Sequence, residues 1–399
     1  MNDSQKVGIV VHRYHPSVTG GSEAHAWQYT QLLKDRFHVD LLTTTATDAL
    51  LWKHELQEGE TVQSGVQILR FRVEQPRTDY WHALHARLIS DAASAQGRVL
   101  LDHRDGWTMA LQREFIIKQG PYAPDLWRFI EANHSQYAAL IFVTYLYPTT
   151  HFGIEAARGH PNVLLVPTLH DEPPAYLSAY RGMARQARSI LWNSSSERDL
   201  AFDLWGSLPG SIVSVAINCK LADKAREPAP FLLYSGRIDH HKGCGEMFNY
   251  FIELKNRHPS PLRLKLTGVR AMEIPTHPEI EFLGFVSAEE KTRLMRNATA
   301  FLMPSKNESL SIVTLEAMAQ ETPVLANVDG LVVAEHIRRA ESGMLYANQE
   351  SFVASVRSLQ SEEIVARETG ARARRYVLDN YSEDQVRQRL IEAIQGGSF

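Results

Sequence analysis

Short β-branched runs alternate along this chain with stretches of helical spacing, and that rhythm constrains the fold more than any other feature. It is the pattern of parallel sheets covered by helices. Residues 6–11 read as a first strand and 22–34 as the helix behind it. Residues 39–43, 139–143, 163–168 and 190–193 read as further strands, with 195–204 as another helix. A polar, proline-bearing stretch at 221–230 (LADKAREPAP) interrupts the rhythm, which restarts with strands at 231–235, 263–267, 300–303 and 323–326. A chain of 399 residues exceeds one typical α/β layer structure. The polar stretch is therefore read as a linker between two halves of similar size, 1–220 and 221–380. The expected fold class is α/β, with two Rossmann-like doubly wound parallel sheets.

Composition narrows the function classes. A net charge of -4 gives no general pull toward nucleic acid. The two cysteines, Cys219 and Cys244, lie well apart, which argues against a disulfide framework and a zinc site and fits a reducing compartment. No apolar run approaches ~20 residues, so no membrane span is expected. The polar start at 1–6 runs directly into a strand and leaves no room for a signal peptide. A cytoplasmic protein is expected, with a peripheral membrane contact left open because it needs only a surface patch. No G-x-G-x-x-G follows the first strand, which speaks against a Rossmann dehydrogenase.

Three segments of the second half carry the chemistry. The first, Ser235-Gly-Arg-Ile-Asp-His-His-Lys-Gly243, follows a strand and precedes a helix. Ligands of doubly wound sheets bind outside strand carboxyl ends. Gly236 would let a phosphate approach the backbone, and Arg237 and Lys242 would neutralise it; the plainer reading is a turn with a solvated charge. In the second, a strand at 300–303 runs through a polar loop into a helix at 312–319. The free amides at this helix start, around Leu310 to Val313, would form an anion site, with Ser309, Leu310, Ser311 and Ile312 as donor-binding candidates. Glu308 precedes that helix and Glu316 follows eight residues later, roughly 12 Å away if the span is helical. Glu308 would hold the transferred sugar and Glu316 the ribose, with a diphosphate between; alternatively Glu308 serves the helix dipole and Glu316 a surface pair. The third segment places Gly284, Phe285 and Val286 at a strand exit, where a base or ribose could lie against the backbone.

Two features of the first half stay open at this stage. Residues 74–134 are rich in Trp and His (Trp81, His82, His85, His103, Trp107, Trp127, His134). They are either a helical insertion packing its own aromatics or an acceptor-binding surface. Arg181, Arg185 and Arg188 are spaced as one helical face, either solvated or facing an anionic acceptor or lipid headgroups.

In this order the segments resemble the family 4 retaining glycosyltransferases of GT-B fold, whose pattern is G-R-x4-K-G, T-G, F-L-G and P-S-x-x-E-x7-E-A-M-A. The chain supplies Gly236-Arg237 with Lys242-Gly243, then Thr267-Gly268, then Phe282-Leu283-Gly284. It ends the series with Pro304-Ser305, Glu308 and Glu316-Ala317-Met318-Ala319. The resemblance implies that Arg237 and Lys242 bind the donor diphosphate, Glu308 the donor sugar and Glu316 the ribose. It extends loosely to the first half, where Gly20 and Gly21 would offer amides to the diphosphate across the cleft between domains. His170, at a strand end beside Asp171, would be a hydrogen-bond partner of the reacting sugar. A last helix at 381–399 is expected to cross back to the first domain. Ser309-Leu310-Ser311 departs from the common Gly-Phe-Gly, and Gln320-Glu321-Thr322 from the usual glycine.

The expected function is thus a retaining glycosyltransferase. It would move a hexose from a UDP-, GDP- or ADP-sugar to a saccharide or glycoconjugate hydroxyl by front-face displacement, without metal or cofactor. The catalytic set would be His170, Arg237, Lys242 and Glu308. Two alternatives stand beside it: a nucleotide-sugar epimerase or hydrolase on the same fold, and a non-catalytic sugar-nucleotide-binding protein.

Overall fold

A strand whose residues are all apolar has to be covered on both faces, and this condition shapes both sheets of the molecule. The computed structural model of the chain describes residues 5–18, 20–94, 99–225, 227–361 and 363–396, with side chains left undescribed at 363–366. The polar start at 1–4, Thr19 of the first glycine loop and Arg226 of the 221–230 stretch lie outside the described residues. The chain divides into two compact units, 1–215 together with 386–399, and 216–385.

The first unit is built on eight strands: β1 (Lys6–Val10), β2 (His38–Thr44), β3 (Gly59–Gln63), β4 (Val66–Phe71), β5 (Ala139–Val143), β6 (Val163–Val166), β7 (Ser189–Trp192) and β8 (Gly210–Ile212). Their order is β3-β4-β2-β1-β5-β6-β7-β8. Every pairing is parallel except β3 with β4. The β3–β4 hairpin turns through Ser64 and Gly65, both at positive φ, as a two-residue turn that matches strand twist requires. β6 stops at Val166, short of the expected 168, because Thr168 takes a left-handed φ of 50° that no strand accommodates.

The aromatic region at 74–134 forms helices Asp79–Ser94, Met109–Gln119 and Pro124–Asn133. Trp81 and Trp107 are buried in the unit's core and Trp127 packs against it. The Arg77 guanidinium lies 4.0 Å from the Trp81 ring and His85 stacks on the ring's face. These indoles are spent on packing, so they form no open aromatic face. The arginine spacing also fails to form one face, because the helix Ser178–Ala184 ends before Arg185 and Arg188. Arg188 instead donates to Asn162 and to the Ala393 carbonyl, and Asn162 donates to the Ile394 carbonyl. These bonds satisfy carbonyls in the last turn of helix Glu383–Gln395.

The second unit carries six parallel strands: β9 (Phe231–Ser235), β10 (Arg263–Thr267), β11 (Ile280–Gly284), β12 (Ala300–Met303), β13 (Val324–Asn327) and β14 (Met344–Tyr346). Their order is β11-β10-β9-β12-β13-β14. In each sheet the chain winds outward from a central strand, then returns to that strand's other side. The reversal falls between β1 and β5 in the first unit and between β9 and β12 in the second. Loops leaving two such neighbours diverge, and a crevice opens at their carboxyl ends.

Candidate active site

In the second unit the two loops that leave the reversal point are residues 236–243, after β9, and 304–311, after β12. They touch through backbone: a Cβ on Gly243, whose φ is 73°, would lie 2.6 Å from the Pro304 carbonyl oxygen. No L side chain fits there, which explains the glycine that closes the first loop. The Lys242 ammonium then bridges the loops, 2.6 Å from Oε1 of Glu308.

The first loop is held by a residue that the sequence reading passed over. Asp239 is buried, its Oδ1 accepts the Lys242 amide at 2.8 Å and its Oδ2 pairs with Nε of Arg237. Burial draws the Asp239 carboxyl upward, but the Lys242 amide and the Arg237 guanidinium outweigh it and hold the group below its ordinary range. A carboxylate accepting an amide three residues ahead is a common turn device, and Asp three positions before Lys242 was its available signal. Tyr234 donates to the Arg237 carbonyl at 2.8 Å, which fixes the backbone that carries the guanidinium. The Arg237 side chain is 61% exposed, so a ligand can reach it.

The second loop leads into the helix Ile312–Ala319. Leu310 and Ser311 are buried, so only their main chain can face the site. Ser311 holds φ 61°, ψ 65°, a left-handed conformation that suits glycine. Its Oγ lies 2.8 Å from Oγ1 of Thr314. Since the helix starts only at Ile312, the span from Glu308 to Glu316 is not one helical run, and the 12 Å reckoning does not apply. Both Glu316 oxygens accept from Nζ of Lys291, at 2.8 and 2.6 Å, a partner the sequence reading missed.

Gly284 joins this group through backbone. The Gly268 amide donates to the Gly284 carbonyl at 2.8 Å, and a Cβ on Gly268 would lie 2.1 Å from the Gly236 carbonyl oxygen. Beyond Gly284, Phe285 is 76% exposed and Val286 half-buried. The second unit thus brings together Gly236, Arg237, Lys242, Glu308, Ser309, Leu310, Ser311 and Ile312, with the Gly284–Val286 strand exit and the Glu316–Lys291 pair beside them.

The remaining candidates belong to the first unit. Gly21 has open space around it, but a Cβ on Gly20 would fall 1.9 Å from the Glu23 carboxylate. Glu23 folds back beneath Gly20 and pairs with Arg13 and with Nε2 of His12. Burial works against the Glu23 charge, but His12 and Arg13 prevail and take its carboxyl down to about 2. His12 stacks on Tyr147, ring centroids 3.9 Å apart, so the ends of β1 and β5 meet at this cluster. His170 is half-buried in the loop after β6. The Leu169 amide before it donates to buried Glu197, which also accepts the Asn193 amide. Burial pushes the Glu197 carboxyl up to about 7 against the pull of those amides.

Two doubly wound parallel-sheet units are the architecture of the GT-B fold, and solved structures share it. Sucrose-phosphate synthase from Thermosynechococcus elongatus superposes with a TM-score of 0.68 at 15% identity over 98% of both chains. The Anabaena protein HepE in complex with UDP-glucose gives 0.67 at 13% identity over 98% of this chain and 100% of that one. Residues 221–376 match the family model of glycosyl transferases group 1. Glycogen synthase of Mycobacterium tuberculosis is 26% identical over 224 residues, 51% of this chain and 53% of that protein. D-inositol 3-phosphate glycosyltransferase of Rhodococcus erythropolis is 25% identical over 253 residues, 56% of this chain and 57% of that one. The chain spans about half the length of these curated relatives. Among the described residues, no helix is long and apolar enough to cross a membrane.

Proposed function

We propose that this protein transfers a hexose from a nucleoside-diphosphate sugar to an acceptor hydroxyl with retention of configuration. The observation that carries the reading is the Lys242–Glu308 pair at the reversal point of the second sheet. It sets a cation and a carboxylate side by side at the start of a helix. A donor sugar nucleotide needs that combination: positive charge and amides for its diphosphate, and an acceptor oxygen for its sugar hydroxyls. The matched family and the relatives named above support the same reaction class.

In this reading Lys242 turns from Glu308 toward the diphosphate as donor enters, freeing the Glu308 carboxylate to accept hydroxyls of the sugar. Arg237 reaches the diphosphate from the solvent side. Glu316, held by Lys291, receives the ribose, and the base lies along Phe285. The anomeric carbon–oxygen bond to the diphosphate breaks as the acceptor oxygen bonds on the same face. The leaving diphosphate oxygen takes the acceptor proton. Lys242, Arg237 and the helix amides stabilise the negative charge that develops there, so the reading asks for no metal.

Lys242→Ala and Arg237→Ala are each expected to lower turnover about 100-fold or more. Turnover is read as nucleoside diphosphate released with acceptor present, and circular dichroism confirms that each variant folds. Rates near wild type in both variants would remove these residues from the reaction.

A further inference from the structure

Behind the 304–311 loop lies a buried polar chain that no step above uses. His336, on helix Leu331–Arg339, is fully enclosed, and both its ring nitrogens have partners. Nε2 lies 2.9 Å from the Leu310 carbonyl oxygen and Nδ1 lies 3.0 Å from the Tyr376 hydroxyl. That hydroxyl is 3.2 Å from the hydroxyl of Tyr381. A carbonyl only accepts, so Nε2 carries the proton and donates to Leu310. The buried ring is neutral, so Nδ1 accepts from Tyr376, and Tyr376 in turn accepts from Tyr381. The three side chains thus form a one-way relay of donors that ends on a single peptide plane.

That plane bears on the site. In a trans peptide the C=O and the following N–H point in opposite directions. With the Leu310 carbonyl drawn inward to His336, the Ser311 amide must point the other way, at the mouth of helix Ile312–Ala319. Ser311 pays for this orientation with its left-handed φ of 61°. Rotating the plane by half a turn would carry φ of Ser311 toward the relaxed extended region and swing its N–H inward. Local backbone preference therefore favours the wrong orientation.

We propose that His336 is a positioning residue that locks the Leu310–Ser311 peptide plane so that the Ser311 amide faces the diphosphate of the donor. This rests on the reading of the site as a sugar-nucleotide site. The test is calorimetric titration with UDP, GDP and ADP. For the diphosphate that binds wild type best, His336→Leu should weaken affinity about tenfold, the scale of one hydrogen bond to an anion. His336→Gln, whose amide can still donate to Leu310, should stay within about threefold of wild type. Tyr376→Phe removes the hydroxyl that orients the ring and should weaken binding in the same direction; it carries the test if His336→Leu fails to fold. Unchanged affinity in a folded His336→Leu or in Tyr376→Phe, or equal losses in the Leu and Gln variants, would overturn the role while leaving the site reading intact. Wild type that binds none of the three diphosphates overturns both.

Discussion

Glu23 shows how much one residue can decide. It sits three positions into helix Gly21–Leu33, where a carboxylate serves the helix start, and it reaches back under Gly20 to His12 and Arg13. The need for glycine at position 20 is therefore internal, since the Glu23 carboxylate fills the space a Cβ would take. Gly20→Ala should destabilise the protein by about 1–3 kcal/mol, the range for overpacking a tight site. In the Glu23→Ala background the same change should cost much less, because the clash is gone. Urea denaturation of the four proteins checks this, and additive losses would mean that Gly20 matters for some other reason. The glycine pair was visible in the sequence, but which glycine stays open to a ligand depended on where Glu23 folded. Lys291 was missed for a like reason, since it pairs with Glu316 from another helix and only folding brings them together; Asp239 had a local signal in its spacing to Lys242.

At the scale of elements, the site hangs on strand ends that touch. Gly268, at φ 120°, packs its Cα against the Gly236 carbonyl, so the exits of β9 and β10 share one contact. Gly268→Ala would force these exits apart and strain its own backbone, for an expected loss of about 3 kcal/mol. Because Gly236 carries Arg237, nucleoside diphosphate binding should weaken too. Equilibrium denaturation and calorimetry would show both, and an unaltered denaturation midpoint would contradict the contact argument. The strands most legible from sequence are β5, β9, β10 and β12, which fall on the expected residues; all but β10 are wholly buried, and β10 keeps its leucines inside. Strands β3, β8 and β14 were not legible. β3 is a mostly exposed edge of polar composition, and the other two are three residues long. Too little apolar surface is buried in each to leave a pattern.

For the whole molecule, buried titratable groups set the response to pH. Burial takes His25 down to about 3, against the pull of the Ser214 carbonyl, and His151 down to about 4. The unfolded chain protonates both near 6.5, so it binds more protons than the native state below that pH, and stability falls as the solution is acidified. Glu197, raised to about 7 by burial, works the other way. Between 7 and its unfolded value near 4.5 the native state holds the extra proton, so acidification through that window adds stability. Two imidazoles against one carboxylate leave a net loss, on the order of 2 kcal/mol between pH 6.5 and 4.5. Below 4.5 Glu197 no longer offsets them, and the loss steepens. His12 and His336, also lowered by burial, add to the fall. Urea midpoints across pH 7.5 to 4 measure this; a midpoint that rises on acidification below 6.5 would refute it.

The sequence by itself determined the α/β class, the central strands of both sheets and the order of the site segments 236–243, 284–286 and 304–316. Each of those features depends on residues close together in the chain, through apolar runs and fixed motif spacing. Tertiary structure alone decided the pairings: Lys242 with Glu308, Glu316 with Lys291, Gly20 with Glu23, Leu310 with His336, and His336 with Tyr376. Apart from Gly20 and Glu23, which share one helix start, those partners come from separate elements, and their meeting depends on how the elements pack around the sheet. A local pattern records the propensity to form a strand or helix; it does not record that geometry.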